Sequence, residues 1–327
     1  MDANGARVRE MIDGYRLSQA IFVAAELRIA DRLGDEAAHY DALATATGTD
    51  APSLLRLLRA LASAGLLRDA GEGKFASTPL GGLLRQDVEG SLHAWARLNT
   101  SLYHPWGNLL GSIRTGKQAF ESAHGKSRWQ HLADCATDSR TFNDAMAETS
   151  AQVAREVLAA CDLSRFDNIV DVGGGNGALL RAVLEACPRS RGVLFDLPEA
   201  IRDASRSVHE RCRLVEGSFL DAVPEGGDAY LLSRVLHDWD DEHAGAVLRN
   251  TRHAMANGAA LFVIERIVEP GQPRLEAALS DLSMLVMNGG RERTRGEFEH
   301  LLAAARFGVA RVVTTPPRFG IIEAKAV

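Results

Sequence analysis

The run Ile169-Val170-Asp171-Val172-Gly173-Gly174-Gly175-Asn176-Gly177 takes a β-branched stretch into closely spaced glycines, and a helix-like segment, Ala178 to Ala186, follows at once. Glycines at such a turn let the backbone approach a ligand closely and bend sharply into a helix. A second strand-like stretch, Gly192 to Phe195, ends in Asp196, 19 residues after Gly177. That is the separation at which an acid on the tip of the second strand meets ribose hydroxyls. One carboxylate can accept both hydrogen bonds of a ribose diol. The combination describes a pocket for a nucleoside cofactor. Gly173-x-Gly175-x-x-Ala178 also fits the loose dinucleotide fingerprint, so NAD(P) competes for the same loop.

The elements that must hold this pocket alternate. Strands are expected at 168–172, 191–196, 213–216, 229–234, 260–265, 309–315 and 320–324, with helices at 177–187, 199–208, 241–255 and 295–306. Such a succession implies an open, mainly parallel sheet with helices on both faces. A hairpin at Pro316-Pro317 places one antiparallel strand at the end. Ligands of these sheets sit beyond the carboxyl ends of the strands. Asp171, Asp196, Ser218, Arg234, His237 and Glu265 all fall at or just after such ends.

The first hundred residues read differently. Leu54, Leu57, Leu58 and Leu61 lie on one face of a helix that opens after Asp50-Ala51-Pro52. Gly65 suits its C-terminal cap, and the short runs 66–68 and 74–77 make a hairpin around Gly71-Glu72-Gly73. With earlier helices at Ile29–Leu33 and Asp41–Ala46, the order is that of a winged helix. A winged helix suggests a DNA-binding regulator, but residues 1–100 carry 11 Lys/Arg against 13 Asp/Glu. Phosphate neutralisation dominates nucleic-acid affinity, and the basic footprint is missing. A leading amphipathic stretch with Met11, Ile12, Tyr15, Leu17, Ile21 and Phe22 instead offers apolar surface for a second copy of the chain. From Trp95 to about Ser150 the pattern is helical and its aromatics read as core. The expected division is 1–100 for dimerisation, 101–155 for a helical linker and acceptor-pocket segment, and 156–327 for the cofactor domain.

Composition narrows the partners. A net charge of −6 over 327 residues argues against nucleic acid. The four cysteines, at 135, 161, 187 and 212, are too far apart for CxxC-type metal or redox sites. No metal, no membrane span and a cytoplasmic location are the expectations.

A second string, Leu231-Leu232-Ser233-Arg234-Val235-Leu236-His237-Asp238-Trp239-Asp240-Asp241-Glu242, adds what the glycine loop lacks. Together with the DVGGGxG run, Phe195-Asp196-Leu197-Pro198 and Gly290-Arg291-Glu292-Arg293-Thr294, it resembles the plant-type small-molecule O-methyltransferases. That family includes caffeate, flavonoid and acetylserotonin enzymes and many bacterial natural-product enzymes. The resemblance runs from about Tyr15 onward with the motifs in family order. It implies a C-terminal Rossmann-like α/β methyltransferase domain, an N-terminal winged-helix-like dimerisation domain, a homodimer, and S-adenosyl-L-methionine in place of NAD.

The roles that follow are those of the resemblance. His237 is the general base toward an aromatic hydroxyl, flanked by Glu265 and Glu292. Asp196 takes the ribose, with Leu197 beside it, and the backbone at Gly173 and Gly175 meets the methionine part. Ser218 and Phe219 stand at the adenine, Ser218 where many members carry Asp. Ser233 and Arg234 replace a lysine-containing stretch and face the cofactor carboxylate, Arg234 being preferred. Met146 and Ser150 contact the cofactor from one helix. Trp106, Phe142, Met284, Met287 and Asn288 line the acceptor pocket. The acceptor is a planar aromatic small molecule such as a phenazine, an anthraquinone or another phenolic polyketide. N-methylation of a heteroaromatic such as a phenazine is the near alternative. A winged-helix regulator and an NAD-dependent oxidoreductase are the distant ones.

Overall fold

The computed structural model describes residues 2–204, 208–271, 274–315 and 319–327. Residues 205–207 of the helix expected over 199–208 and the Pro316-Pro317 turn therefore fall outside the description, and by residue 208 the chain is not helical. The chain divides into two compact units, Met1–Tyr103 and His104–Val327.

In the first unit, α1 (Ala3–Glu26) is capped by Asp2, whose side chain accepts the Gly5 N–H at 2.7 Å. It buries only Ala24 and Ala25, while Met11 and Ile12 stay 62% and 68% exposed. Its apolar face thus has no cover within its own chain's first unit. After α2 (Ile29–Leu33), β1 (Ala38–His39) and α3 (Tyr40–Thr47) comes α4 (Ala51–Ser63). The Asp50 side chain caps α4 through the Ser53 N–H, Pro52 sits in its first turn, and Leu54, Leu58 and Leu61 are buried. Then β2 (Leu67–Gly71) and β3 (Lys74–Ser77) form the expected hairpin. Unforeseen, β1 adds a third antiparallel strand on β3. Two residues carry no periodicity to read. Short α5 (Pro79–Gly82) and then α6 (His93–Gly107) follow.

The second unit begins with α7 (Leu109–Thr115), α8 (Ala119–His124), α9 (Arg128–Asp134) and the long α10 (Ala136–Ala160). Next come β4 (Asn168–Val172), α11 (Ala178–Ala186), β5 (Arg191–Asp196), α12 (Pro198–Ala204), β6 (Cys212–Glu216), β7 (Ala229–Ser233) and α13 (Asp241–Ala254). The remainder is β8 (Ala260–Glu265), β9 (Ile267–Val268), α14 (Leu275–Asn288), β10 (Arg293–Thr294), α15 (Arg295–Ala304), β11 (Phe307–Thr315) and β12 (Phe319–Ala326). Seven strands form one sheet in the order β11-β12-β8-β7-β4-β5-β6. All neighbours from β6 to β8 are parallel. The antiparallel strand is β12, and it sits between β8 and β11, one place in from the edge.

The sheet is covered on both faces, which is why β8 reads Ala-Leu-Phe-Val-Ile with every residue buried. The two-residue period divides its side chains. Ile169, Leu231, Phe262 and Ile264 pack toward α10 and α11, whereas Val170, Leu232 and Val263 pack toward α13 and α15. Each large side chain so buried contributes about 1.5–3 kcal/mol. The parallel pair β9–β10, also unforeseen, sets Arg293 opposite Ile267. It brings the loop that carries Glu292 beside the end of β8, where Glu265 stands.

Candidate active site

At the end of β4 the glycine turn is tied to β5. The Gly173 N–H donates to the Phe195 carbonyl at 2.8 Å, and the Gly175 N–H donates to the Asp196 carboxylate at 2.7 Å. The Leu197 N–H donates to the other Asp196 oxygen, also at 2.7 Å. Gly175 has φ +59° and only open space where a side chain would stand, so a larger residue would be strained and would fill that space. Beneath the turn Asp171 is fully buried, with no hydrogen-bond partner on either side-chain oxygen. Burial, aided by the nearby Asp196 charge, raises its carboxyl to about 7.

Arg234 lies just past β7 with φ +57°, a strained conformation for a non-glycine residue. Its guanidinium reaches into α10, donating to Thr149 Oγ1 at 2.5 Å and to Ser150 Oγ at 2.6 Å. The Met146 carbonyl lies 3.4 Å away, and the Arg234 Nε is buried without a partner. Met146, Ser150 and Arg234 thus form one hydrogen-bonded group. One orphaned acid, Asp171, and an orphaned guanidinium nitrogen near an open glycine turn fit a ligand bearing both a positive and a negative charge. S-adenosylmethionine, with its sulfonium, ammonium and carboxylate, is such a ligand.

His237 sits in a short 3-10 turn, Leu236–Asp238, after β7. Its Nδ1 is 3.2 Å from Glu292 Oε1 and 3.7 Å from Glu265 Oε2. Its Nε2 lies on the other side, 3.8 Å from Asp238 Oδ1. Glu265 also fixes the turn itself, accepting the Val235 and Leu236 N–H groups at 2.9 and 2.8 Å. Ser280 Oγ donates to Glu292 at 2.6 Å. From the far side, Arg293 is fully buried and donates to the Leu236 and Trp239 carbonyls at 2.7 and 2.8 Å and to Asp241. Gly290 passes so close that a Cβ would come within 2.2 Å of the His237 carbonyl. The sequence shows three arginines around Glu292 without distinguishing them. Arg293 is buried and clamps the histidine turn with its side chain, whereas Arg291 and Arg295 are exposed and Arg291 reaches the turn only by its backbone N–H, 2.9 Å from the His237 carbonyl.

Burial alone would lower the imidazole pKa, but the carboxylates of Glu265, Glu292 and Asp238 outweigh it and raise it to about 10. Burial pushes Glu265 up to about 7 despite the His237 charge. Burial would also raise Glu292, yet His237, Ser280 and Arg266 hold it below its ordinary value. The donor atoms of His237, Glu265 and Glu292 lie within 4.8 Å of one another, as do those of His131, Cys135 and Asp138. Within each grouping one direct hydrogen bond forms, His237 Nδ1 with Glu292 at 3.2 Å and His131 Nε2 with Asp138 at 2.7 Å.

Aromatic rings cluster next to the histidine turn. Trp129 stacks on Trp239 at 6.5 Å and meets Phe142 edge-on at 6.1 Å; Phe219 meets Trp239 nearly at right angles at 6.0 Å. The Asn288 amide donates to Asp238. Of the other expected pocket residues, Met284 is half-buried on α14 and Met287 is buried there. Trp106 is half-buried on α6, outside these ring contacts among the described residues. Ser218 turns its Oγ to the Leu220 N–H at 3.2 Å, and Ser233 closes β7 against Ile264.

A parallel sheet with a glycine turn, a strand-end acid and a carboxylate-held histidine defines a nucleoside-cofactor group-transfer enzyme. The chain belongs to the plant-type O-methyltransferase family: the O-methyltransferase domain matches residues 106–308 and the O-methyltransferase dimerisation domain residues 9–87. It is 39% identical to a phenazine O-methyltransferase, PhzM, of Lysobacter antibioticus, over 97% of this chain and 95% of that one. The crystal structure of LaPhzM superposes with a TM-score of 0.97 at 38% identity, covering 100% of both chains. Human N-acetylserotonin methyltransferase, solved with S-adenosylmethionine, gives 0.94 at 28% identity, covering 100% of this chain and 98% of that one. The protein is an S-adenosylmethionine-dependent methyltransferase, and the NAD reading of the glycine loop is set aside. Among the described residues no helix is long and apolar enough to cross a membrane.

Proposed function

We propose that the enzyme methylates a hydroxyl of a planar aromatic small molecule of bacterial secondary metabolism, such as a phenazine, an anthraquinone or another phenolic polyketide, with His237 as general base. The orientation of the imidazole carries this reading. With Nδ1 turned to Glu292 and Glu265, the proton on that nitrogen is held and Nε2 is the atom free to take another. A phenol has a pKa of about 10. An imidazole raised to about 10 is matched to it, so the proton moves between them with little energy difference. Glu265 and Glu292 stabilise the imidazolium that results. S-adenosylmethionine supplies the electrophilic methyl group on its sulfonium. Gly173, Gly175, Asp196 and Leu197 hold it on the β4–β5 side, Ser218 and Phe219 at the adenine, and Met146, Ser150, Ser233 and Arg234 at the amino-acid end. Phe142, Met284, Met287, Asn288 and Trp106 line the acceptor pocket.

One observation favours a second reading. A phenazine-1-carboxylate N-methyltransferase of Pseudomonas aeruginosa is 34% identical over 96% of this chain. Ring nitrogen needs no base, so the intact His237 group favours oxygen. Labelled S-adenosylmethionine with a panel of phenols, anthraquinones and hydroxyphenazines tests the choice. Transfer to oxygen is expected; label on ring nitrogen alone overturns the assignment.

Two further outcomes are expected. Asp196→Ala removes an acceptor that both holds Gly175 and faces the ribose. At about 1.5–3 kcal/mol for hydrogen bonds to a charged group, cofactor binding should weaken on the order of 10–100-fold by titration calorimetry. Wild-type affinity in that variant would place the ribose elsewhere. The uncovered face of α1 and the dimerisation domain support a homodimer built through residues 1–100, with the acceptor segment at 101–155 and the cofactor domain from 156. Light scattering should return twice the 35.3 kDa chain mass, and a monomer mass would refute it.

A further inference from the structure

Among the described residues of the second unit Arg128 and Arg293 are buried and Arg234 is half-buried, and the three are not alike. Arg293 spends its guanidinium on two carbonyls and Asp241, and Arg234 on two hydroxyls and a carbonyl. Arg128, at the start of α9, is 8% exposed, yet among the described residues no hydrogen bond or ion pair within 4.0 Å reaches its guanidinium. What it has is a ring: the guanidinium carbon lies 4.5 Å from the centroid of Phe142 and 6.0 Å from that of Trp129. It also feels the charge of Asp238, the neighbour of His237, from beyond ion-pairing distance. Asp238 itself is already engaged by the Asn288 amide.

No nitrogen of Arg128 is among the fully enclosed unpartnered atoms, so the guanidinium keeps its charge and presents its donors to open space. A stacking ring holds it in place but offers no acceptor. The donors stand beside Phe142, an expected pocket residue, and within the electrostatic reach of the turn that holds the proposed base. We propose that Arg128 reads an anionic substituent, a carboxylate carried on the ring system of the aromatic acceptor. The planar fork of arginine matches a carboxylate with two parallel hydrogen bonds, which lysine cannot reproduce. The carboxylate fixes the orientation of the ring and hence which hydroxyl meets His237. This inference rests on the reading of the site as one for aromatic acceptors.

The test compares 1-hydroxy-2-naphthoate with 1-naphthol, its analogue without the carboxylate, on the full-length wild type, Arg128→Leu and Arg128→Lys. In the wild type, kcat/KM should favour the naphthoate by at least about tenfold, mainly through KM. In Arg128→Leu that ratio should fall toward one, with Arg128→Lys between. Calorimetric binding of each probe to enzyme saturated with S-adenosylhomocysteine gives the same comparison without turnover. Carboxylate-selective binding that disappears in Arg128→Leu supports the assignment even if neither probe is methylated, an outcome that would count against the function proposed above. A wild type that shows no preference, or an Arg128→Leu variant that loses both probes equally, overturns it and leaves Arg128 as a counter-charge to Asp238. If the leucine variant fails to fold, the lysine variant's ratio decides.

Discussion

His237→Ala is expected to lower kcat by about 10²–10⁴-fold, the usual worth of a positioned acid or base, while the dissociation constant of S-adenosylmethionine stays within about twofold of wild type. The imidazole contacts Glu292 and Glu265 on one side and offers Nε2 on the other, and none of the glycine-turn hydrogen bonds involves it. A second readout is the pH profile. The base must be free of its proton, and its surroundings raise its pKa to about 10. Wild-type kcat/KM should therefore climb through the neutral and alkaline range, and the variant should lose that climb. Stability runs the other way. A histidine whose folded pKa is raised from 6.5 to about 10 stabilises the fold fully below pH 6.5, and the contribution is lost as pH rises toward 10. Glu265, raised to about 7 from 4.5, adds a further loss between those values as its buried carboxyl ionises. A flat pH profile in the wild type, or a variant with full activity at neutral pH, would argue for catalysis by positioning alone.

Arg293→Met should combine the largest loss of stability with a loss of turnover. The side chain is fully buried and satisfies the Leu236 and Trp239 carbonyls and Asp241. Methionine fills the space but leaves the Leu236 and Trp239 carbonyls without this donor, while the exposed Asp241 turns to solvent. A buried acceptor left unsatisfied costs about 1–3 kcal/mol, so two of them are a large part of a total stability of roughly 5–15 kcal/mol. The histidine turn would then lose its support from the far side and keep only Glu265, Glu292, the Arg291 N–H and Asn288, and a displacement of about 1 Å can cost on the order of 10²-fold in rate. Arg293 acts through His237, so it is a positioning residue. Its variant should keep the rising pH profile and the cofactor affinity while kcat and the melting temperature fall. A variant with wild-type melting temperature would show that water can replace the guanidinium.

The strands and helices around the cofactor were legible because their apolar runs have clear ends: Ile169 to Val172 stops at glycine and Ala260 to Ile264 stops at Glu265. The pairing of Glu265 and Glu292 with His237 was legible only through resemblance, since nothing local links residues 237, 265 and 292. The two-residue strands β1, β9 and β10 were invisible because pairing, not local preference, creates them. Arginines posed the same difficulty. Arg128 and Arg293 look like surface charges in sequence, and only tertiary packing distinguishes them from Arg291 or Arg295; Arg234 stood out only through its place in the resembling motif. The positive φ of Arg234 likewise has no glycine to announce it.

The place of β12 in the sheet sets an order of assembly during synthesis. β8 carries Glu265 at its tip, and β12 pairs along its whole length, from Gly320 opposite Glu265 to Lys325 opposite Ala260. Yet β12 begins more than fifty residues after β8 ends. A nascent chain that has already folded β4 through β8 must wait on the ribosome with an apolar strand edge open, the arrangement most prone to pair with a neighbouring chain. The acid that holds the histidine turn thus ends a strand whose second neighbour is synthesised last.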